Sequence, residues 1–384
     1  MQTSSRVPAF MYVSKILQDR IEEGNYAPGE WLPTERDLAT EMNISRPVVR
    51  SAIRHLQDKG VITQQGPGHR QQVRIFDKPP LAEVSSAVGR TVVAIMSQSI
   101  ELASAHSILR GINAELRTRE TPYQLAVYDT EPKMLHHTES ESEQSWERIY
   151  LERINRDGAA GVILYHVSGP HTIPLLRSIQ QKGIPLVLID RYPYELECDF
   201  VGVDNYGATK VAVEHLIGLG HQRIGYILQE EQVSSVQERL RGYRDALEIC
   251  GLSYVAELTV SARPTASLAL DQLLSLPKPP TALVAVNDFA AFAIIQEANK
   301  RGIHVPKDLS VVGFDNSEAY TPRPGILTTI RQPFEEIGRR AVELVLARQS
   351  PPRTPSERAY RHVVLPGTLV VRESTGPAIE TAHG

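Results

Sequence analysis

Cysteine is scarce in this sequence, and so are the long apolar runs that membrane segments need. Only two cysteines occur, Cys198 and Cys250, and they do not form a Cys-x-x-Cys pair. Their scarcity argues against a disulfide framework and against a zinc site. No apolar run reaches the roughly 20 residues of a membrane-spanning helix, and the first residues lack a basic stretch followed by an apolar one. We therefore expect a cytoplasmic protein with no membrane partner.

The chain also lacks an overall excess of basic residues. It has 41 Lys and Arg residues against 45 Asp and Glu residues, a net charge of -4. The balance is uneven, because residues 1–76 carry 10 basic and 8 acidic residues, and residues 42–76 carry six basic residues and one acidic residue. Such a concentration of positive charge is what contact with nucleic-acid phosphates requires. Since 384 residues exceed one ordinary core, two or three compact units are expected.

The N-terminal part of the chain predicts three short helices followed by a hairpin. Apolar residues recur at helical spacing in residues 10–24, and Thr34 lies three residues before Asp37, as in a helix-capping box. Ser45 is placed to cap a third helix after a very short turn. The segments VITQQ and QQVRIF, joined by GPGHR, predict two short strands that form a wing.

The third predicted helix carries a stripe of arginines. Arg46, Arg50 and Arg54 recur at every fourth residue, so they share one face, opposite the apolar face. Taken alone, such a face is most often only solvated. The short turn before it and the wing after it favour a different interpretation, in which this helix enters the major groove of DNA.

The stretch WLPTERDLATEMNISRPVVRSAIRHLQDKGVITQQGPGH resembles the winged helix-turn-helix of the GntR regulators. The resemblance implies that Arg36, Arg46 and Arg50 contact phosphates and guanine edges. It also implies that Gly66, with His69 or Arg70 nearby, brings the wing tip to the minor groove. The alternative role of Gly66 is simply to permit the hairpin turn. Ser45 and Arg54 complete the candidate DNA-binding residues.

From Thr91 onward, apolar strands alternate with helices, which predicts an α/β architecture. The predicted strands are TVVAIM, YQLAVYD, GVILYH and PLVLID and, after Asp204, RIGYIL, TALVAV and LSVVGF. Their alternation with helices indicates parallel sheets that are covered on both faces, and its restart indicates two doubly wound lobes in tandem. Lobes of this kind bind ligands at the carboxyl ends of their strands.

The segments VDNYGATKVAVEHLIGLGHQRIGYI, ERLRGYRDAL, PPTALVAVNDFAAFAIIQEANKRGIHVPKDLSVVGFDN, LTTIRQPFEEIG and LVVREST resemble the effector domain of the LacI/GalR family. That family is itself similar to periplasmic sugar-binding proteins. The resemblance implies a two-lobed, periplasmic-binding-protein-like type I domain with Arg239, Asn287 and Asp315 in the cleft between the lobes. The first lobe departs from the family pattern at SQSIELASAHSIL, where many relatives carry Asn-Pro-aromatic.

The predicted organisation has four parts. They are a winged helix-turn-helix DNA-binding domain at residues 1–76, a linker rich in Pro, Ala and Ser at 77–90, the two-lobed domain at 91–374 and a tail at 375–384. The first lobe is predicted at about 91–191 and 332–346, and the second at about 192–331 and 347–374. The combination resembles arabinose-repressor-type regulators.

Five further residues are candidates for ligand binding because they follow strands of the first lobe. They are Ser97, Gln98 and Ser99 after the first strand, and Asp190 and Arg191 at the end of PLVLID. Sugar sites combine such polar groups with flat apolar surfaces. Two alternatives stay open: Arg191 pairs only with a carboxylate near the hinge, or the polar residues only cap the next helix.

Other motifs predict no chemistry of their own. His136 and His137 are adjacent and point to different sides, which suits a metal poorly. The segment Gly218–His221 follows a helix and precedes a strand, the opposite order to a phosphate loop, so we interpret it as a helix stop. We expect no cofactor and no metal.

The combined pattern predicts a transcription regulator, most simply a repressor, controlled by a small effector such as a sugar. Its expected partners are a (pseudo)palindromic double-stranded operator and a second copy of the chain in a homodimer. An activator, or a regulator with a purine, nucleoside or sugar-acid effector, stays open. A sugar transport receptor is disfavoured by the attached DNA module. An enzyme of the pyridoxal-phosphate aminotransferase class is disfavoured because no Schiff-base lysine motif is recognisable.

Overall fold

A computed structural model shows the chain as two compact units, Met1–Ser85 and Ser86–Gly384. The boundary between the units falls inside the predicted linker at 77–90. The structure describes residues 13–14, 17, 26, 31–42, 44–58, 62–64, 71–73, 91–96, 103–119, 123–129, 146–167, 169–228, 233–317, 325–349 and 359–378.

The small unit contains the predicted helices and the predicted antiparallel hairpin. Its elements are α1 (Glu35–Glu41), α2 (Arg46–Asp58), β1 (Ile62–Gln64) and β2 (Gln71–Val73). Val13, Ser14 and Leu17 are also helical, within the helix predicted at 10–24. The Thr34 hydroxyl caps α1, since it accepts a hydrogen bond from the Asp37 amide at 3.3 Å and donates to the Asp37 carboxylate at 2.6 Å.

The apolar face of α2 holds the small unit together. The apolar residues and the arginines lie on opposite faces of this helix. Burial of the apolar face therefore leaves the arginines exposed. The buried residues of the shared core are Val13, Leu17, Leu32, Leu38, Ala39, Val49, Ala52, Ile53, Leu56 and Ile62.

The large unit alternates strands and helices as predicted. Its strands are β3 (Thr91–Met96), β4 (Gln124–Asp129), β5 (Gly161–Leu164), β6 (Leu186–Ile189), β7 (Asp199–Val203), β8 (Ile224–Leu228), β9 (Thr259–Ser261), β10 (Ala282–Ala285), β11 (Ser310–Asp315), β12 (Thr328–Arg331), β13 (His362–Leu365) and β14 (Thr368–Val370). Its helices are α3 (Ala103–Arg117), α4 (Trp146–Asp157), α5 (Ile173–Gln181), α6 (Asn205–Gly218), α7 (Ser234–Ile249), α8 (Ala266–Leu274), α9 (Asp288–Lys300) and α10 (Phe334–Ala347). Within the described ranges, no helix has the length and apolar character to cross a membrane.

Two six-stranded sheets form the two lobes, which confirms the predicted fold class. The first sheet has the order β13-β7-β6-β5-β3-β4 and is parallel throughout. The second has the order β14-β12-β11-β10-β8-β9 and is parallel except for its edge strand β14. The central strands are buried on both faces, which explains why they are continuous apolar runs in the sequence.

The first lobe contains more of the chain than the sequence analysis predicts. The predicted second lobe contains residues 199–203 and 362–365, but β7 pairs with β6 and with β13 in the first sheet. The chain therefore crosses to the second lobe after β7, not after Arg191. The reason is non-local: strand pairing, which the apolar pattern does not encode, places both segments in the first sheet.

Helices α3 and α10 of the first lobe pack with their backbones in close approach. A Cβ atom added to Gly111 would overlap the Glu335 carbonyl, and one added to Gly338 would overlap the Ile108 carbonyl. Both positions therefore require glycine. Helix α10 directly follows β12 of the second sheet, so this packing fixes one of the crossings between lobes.

We predict that Gly338→Ala destabilises the protein by about 1–3 kcal/mol, because the new methyl group forces two helices apart. Gly218→Ala is the matched control, since a Cβ at this last residue of α6 would meet no atom within 4 Å. Thermal unfolding of the full chain, followed by circular dichroism, measures both. Equal midpoints for the two variants would contradict the close-packing argument.

Candidate DNA surface and ligand cavity

Helix α2 presents an exposed arginine face. Arg46, Arg50 and Arg54 are exposed, whereas Val49 and Ile53 of the same helix are buried. Ser45 precedes the helix and is exposed like the arginines, and its carbonyl accepts from the amides that begin the helix. The structure thus brings four of the predicted DNA-binding residues onto one surface.

Arg50 is held by a carboxylate of α1. Its Nε lies 3.2 and 3.1 Å from the two carboxylate oxygens of Glu35, and its Nη2 lies 2.8 Å from Oε2. The sequence analysis did not single out Glu35. Arg36 is more exposed, with its Nε 3.7 Å from the Asp37 carboxylate. Because a bidentate pair fixes the guanidinium plane, Arg50 is oriented before any partner arrives.

The predicted wing is present as the β1–β2 hairpin, in which Ile62 lies opposite Val73 and Gln64 opposite Gln71. The wing-tip candidates Gly66, His69 and Arg70 lie outside the described residues, as do Ser97, Gln98, Ser99, His136 and His137.

A cavity of about 100 Å³ lies between the two lobes of the large unit, at the carboxyl ends of the strands. All five described ligand-site candidates line it, namely Asp190, Arg191, Arg239, Asn287 and Asp315. The sequence analysis missed the other polar and aromatic residues of its wall, which include Tyr165, Ser235, Gln332 and Phe334. The parallel strands of both sheets end at this cavity with their carboxyl ends. Residues that are distant in sequence therefore lie close together there.

Asp190 and Arg191 form one wall of the cavity. Asp190 directly follows β6 and has a positive φ of 68°, and its carboxylate accepts from Arg191 Nε at 2.9 Å. Arg191 Nη2 also donates to the Tyr165 hydroxyl at 2.6 Å, with the guanidinium carbon 4.7 Å from the ring centre. Burial raises the pKa of the Tyr165 hydroxyl, so this hydroxyl stays protonated. Arg191 therefore pairs with a carboxylate and lines the cavity at once.

Arg239 projects from α7 into the opposite wall and is 6% exposed. Its Nε donates to Asn205 Oδ1 at 2.8 Å, and its Nη1 donates to the Val286 carbonyl at 2.6 Å. The guanidinium carbon lies 3.6 Å from the centre of the Phe314 ring. Hydrogen bonds therefore hold two of the guanidinium nitrogens, and the Phe314 ring covers one face of the group.

Asn287 has a structural role in addition to its place in the cavity wall. It caps α9, since its side-chain oxygen accepts from the Ala290 amide at 2.9 Å. This bond directs the amide oxygen toward the start of the helix.

Asp315 and Gln332 meet at the base of the cavity. Gln332 Nε2 donates to Asp315 Oδ1 at 2.7 Å, and Arg239 Nη1 lies 3.8 Å from the same oxygen. The Gln332 Oε1 atom is buried and has no hydrogen-bond partner. Because a carboxylate only accepts, the amide nitrogen must face Asp315 and the amide oxygen must face away from it. Burial raises the pKa of Asp315 to about 6, against the lowering effect of Arg239.

A buried ion-pair geometry lies next to the cavity wall, beside Tyr165. Glu147 Oε1 is 2.7 Å from His166 Nδ1, and Glu147 Oε2 accepts from the Val167 amide at 2.8 Å. No periodic signal marks these residues in the sequence. Among the described residues, no group of three His, Cys, Asp or Glu side chains is arranged to hold a metal.

A small helix-turn-helix unit with an arginine face, joined to a two-lobed unit with a polar cleft, defines a ligand-controlled DNA-binding regulator. Comparisons with known proteins support this class. Residues 12–68 match the bacterial regulatory proteins of the gntR family, and residues 213–375 match the periplasmic binding protein-like domain. The resemblances to both, stated from the sequence motifs, are confirmed.

Known relatives extend over the chain. It is 27% identical over 380 residues to the arabinose metabolism transcriptional repressor of Halalkalibacterium halodurans, which covers 96% of this chain and 97% of the relative. It is 33% identical over 234 residues to the HTH-type transcriptional regulator DegA of Bacillus subtilis, or 60% of this chain and 68% of DegA. A solved LacI family transcriptional regulator from Enterococcus faecium, with bound ribose, shares the fold with a TM-score of 0.58 at 23% identity, over 75% of this chain and 100% of that one.

The chain therefore belongs to the HTH-type transcriptional regulators, with a gntR-type DNA-binding module and a periplasmic binding protein-like domain. Its relatives are regulators and not enzymes.

Proposed function

We propose that the protein is a repressor whose hold on operator DNA is released by a sugar bound in the cavity between the lobes. The observation that carries this proposal is that charged and polar side chains of both lobes line one cavity. Asp190 and Arg191 lie on the first-lobe side, and Arg239, Asn287 and Asp315 lie on the second-lobe side.

The balance of donors and acceptors favours a neutral polyhydroxyl ligand. Asp190 and Asp315 offer acceptor oxygens to the cavity. Their charges are already matched by Arg191 and Arg239, which lie 2.9 and 3.8 Å from them. A sugar supplies many hydroxyl donors and acceptors without adding a charge to this matched set.

In this proposal, Arg239, Asn287 and Asp315 bind the sugar from the second lobe, and Asp190 and Arg191 bind it from the first. Ser97, Gln98 and Ser99 are proposed to complete the first-lobe side. The names of two known proteins point the same way: one is an arabinose metabolism repressor and the other holds ribose.

We expect L-arabinose or D-ribose, but not galacturonate or adenosine, to raise the thermal midpoint of the full chain. At one hundred times its dissociation constant, a ligand that binds only the folded state adds about 2.7 kcal/mol of stability. Calorimetric titration then gives the affinity, and release of bound operator DNA tests repression. Binding of adenosine or galacturonate alone would replace the sugar with that effector class, and tighter operator binding with sugar would replace release with recruitment.

The variant Gln332→Met tests the cavity wall with the sugar that binds best. It should lower the affinity about five- to tenfold, because Asp315 loses the side-chain hydrogen bond that orients it, worth about 1–1.4 kcal/mol. Gln272→Met is the matched control, since Gln272 is exposed on α8. Unchanged sugar affinity in Gln332→Met would remove Gln332 from the site.

The DNA surface is proposed to consist of Arg36, Ser45, Arg46, Arg50 and Arg54, with Gly66, His69 and Arg70 at the wing tip. We predict that Arg50→Ala weakens operator binding by about 1–3 kcal/mol and relaxes sequence preference, because a fork of donors that matches guanine is lost. Fluorescence anisotropy at fixed salt measures this change on operator DNA obtained by selection from random sequences.

Arg117→Ala is the control for this prediction, since it removes the same charge from an exposed site on α3. Glu35→Gln adds a second test: it removes the carboxylate that holds Arg50 and should also relax sequence preference. The role of Arg50 is wrong if Arg50→Ala and Arg117→Ala bind operator and random DNA alike.

We also propose a homodimer that binds a (pseudo)palindromic operator, since one winged helix makes too few base contacts to select a single site. Sedimentation equilibrium of the full chain should give twice the 42.7 kDa chain mass. Selected DNA should contain two inverted half-sites, and inserting about half a helical turn between them should abolish tight binding. A monomer that binds a single half-site with full affinity would exclude this assembly.

A further inference from the structure

Helix α7 lines a second cavity, with residues other than those that line the cavity between the lobes. This second cavity, the α7 pocket, has a volume of about 410 Å³, which lies within the range of about 300–1,000 Å³ that small-molecule sites occupy. Its wall includes Glu238, Arg241, Arg244 and Asp245 of the helix and Tyr194. None of these five residues lines the cavity between the lobes. The α7 pocket is therefore a separate candidate site.

Both lobes contribute to the wall of the α7 pocket. Tyr194 lies on the first-lobe segment between β6 and β7 and is 61% exposed, so its ring is open to contact by a ligand. The ring of Tyr192 lies edge-on to it, with the ring centres 5.5 Å apart. Tyr192 in turn donates to the Ser234 hydroxyl and to the Glu238 carboxylate of α7, at 2.9 and 3.1 Å. These contacts keep the exposed ring beside the helix.

Two arginines of the α7 pocket are held by aromatic rings. The guanidinium carbon of Arg241 lies 4.7 Å from the centre of the Tyr206 ring, and that of Arg244 lies 4.6 Å from the centre of the Tyr254 ring. Arg244 Nη2 also donates to the Tyr254 hydroxyl at 3.1 Å. Residues three apart on a helix are neighbours on its surface. Stacking on a ring orients a planar guanidinium and leaves donors on its edge for a further partner.

The two carboxylates of the α7 pocket are engaged by neutral donors. Glu238 Oε1 accepts from the Tyr192 hydroxyl at 3.1 Å, and Glu238 Oε2 accepts from the Asn205 amide at 3.2 Å. Asp245 Oδ2 accepts from the Tyr206 hydroxyl at 2.9 Å. The acidic groups therefore help to hold the wall together and do not neutralise the arginines beside them.

The guanidinium groups of Arg241 and Arg244 have no carboxylate within 4.0 Å among the residues that the structure describes. Other arginines of the large unit do form ion pairs, as Arg348 does with Asp199 at 2.7 Å. Two oriented cations in one pocket, each with unused donors, form a binding surface for an anion.

A phosphate group suits these two arginines, because its acceptor oxygens can accept from both guanidinium groups at once. The carboxylates of Glu238 and Asp245 disfavour a bare anion but accept hydrogen bonds from hydroxyl groups attached to it, since an ionised carboxylate only accepts. The Tyr194 ring adds a flat apolar surface against which a ring of the ligand can pack. These three features together fit a phosphate monoester whose ring carries hydroxyl groups.

We propose that the α7 pocket is a second small-molecule site, which binds a phosphate monoester of a hydroxylated ring compound. Arg241 and Arg244 bind the phosphate, Tyr194 packs against the ring, and Asp245 accepts from a ring hydroxyl. The ligand thereby contacts both lobes at once. The site is independent of the sugar proposed for the cavity between the lobes, and its test needs no sugar.

The first measurement is calorimetric titration of the full chain with ribose 5-phosphate, adenosine 5′-monophosphate and inorganic phosphate. A phosphate-free buffer of low ionic strength is needed, because salt screens exposed charges. At least one ester should bind about tenfold more tightly than inorganic phosphate, owing to the added ring contact. No binding of either ester at millimolar concentration would overturn the site, and equal affinities for inorganic phosphate and both esters would overturn the ligand class.

The second measurement locates the bound ester. Arg241→Gln and Arg244→Gln should each lower its affinity roughly tenfold or more, because a charged hydrogen bond to the phosphate is lost. Arg117→Gln is the matched control, since it removes the same charge from an exposed site on α3 and should leave the affinity unchanged. Wild-type affinity in both pocket variants would place the ester elsewhere, for example in the cavity between the lobes, against the proposal.

The third measurement separates ligand contact from damage to the wall. Tyr194→Ala should lower the affinity for the ester about fivefold and leave the affinity for inorganic phosphate unchanged, because only the ester has a ring to pack. Arg241→Gln should lower both affinities. Phosphorus-31 NMR titration measures the weak binding of inorganic phosphate. If Tyr194→Ala weakened both ligands equally, or neither, the ring contact would be overturned. Since no sugar is titrated, failure of the proposed sugar effector would leave these results unaffected.

Discussion

The ligand cavity depends on one constraint, which is the burial of the Arg239 guanidinium. A cation removed from water must be compensated by hydrogen bonds and by nearby charge. Here Asn205, the Val286 carbonyl, the Phe314 ring and Asp315 provide that compensation. These groups come from three separate segments of the chain and Arg239 from a fourth, so the guanidinium keeps its place only when α6, α7 and the ends of β10 and β11 are all assembled.

The parallel sheets explain why this assembly ends in a cavity. The strands β5, β6, β8 and β10 are apolar along their length and buried on both faces. Polar groups that line the cavity therefore appear where strands end, at Asp190 after β6, Asn287 after β10 and Asp315 at the end of β11. The two lobes face each other with these ends, and the polar residues meet across the gap.

The local parts of this design were predictable from the sequence. Apolar runs predicted seven of the large-unit strands, and the Thr34 to Asp37 spacing predicted the cap that the structure contains. The cleft residues Arg239, Asn287 and Asp315 came from a family resemblance, and they do line one cavity. Their roles toward a ligand stay predictions.

The remaining parts depend on contacts between distant residues, which no periodicity encodes. The strands β7 and β13 were assigned to the wrong lobe because their sequences do not encode which sheet they join. Gln332 lies in a quoted motif, but its hydrogen bond to Asp315 forms only in the folded cavity. Asn205 and Asp288 look like ordinary residues at helix starts, and their partners lie 34 and 41 residues away at Arg239 and Thr329.

Hydrogen bonds between the lobes reduce the binding free energy that a ligand must supply to change how the lobes are arranged. Tyr192, on the first-lobe segment between β6 and β7, donates from its amide to the Ser234 hydroxyl at 2.9 Å and from its own hydroxyl to the Glu238 carboxylate at 3.1 Å. Both partners lie on α7 of the second lobe, and Glu238 also accepts from Asn205, the residue that holds Arg239. The cavity wall and the inter-lobe contact therefore share one hydrogen-bond network. A ligand that adds contacts to both lobes changes an equilibrium that this network already sets, and couplings of about 1–3 kcal/mol are typical of such control. One or two new hydrogen bonds supply that amount, so the sugar proposed as the effector would form enough contacts to exert this control.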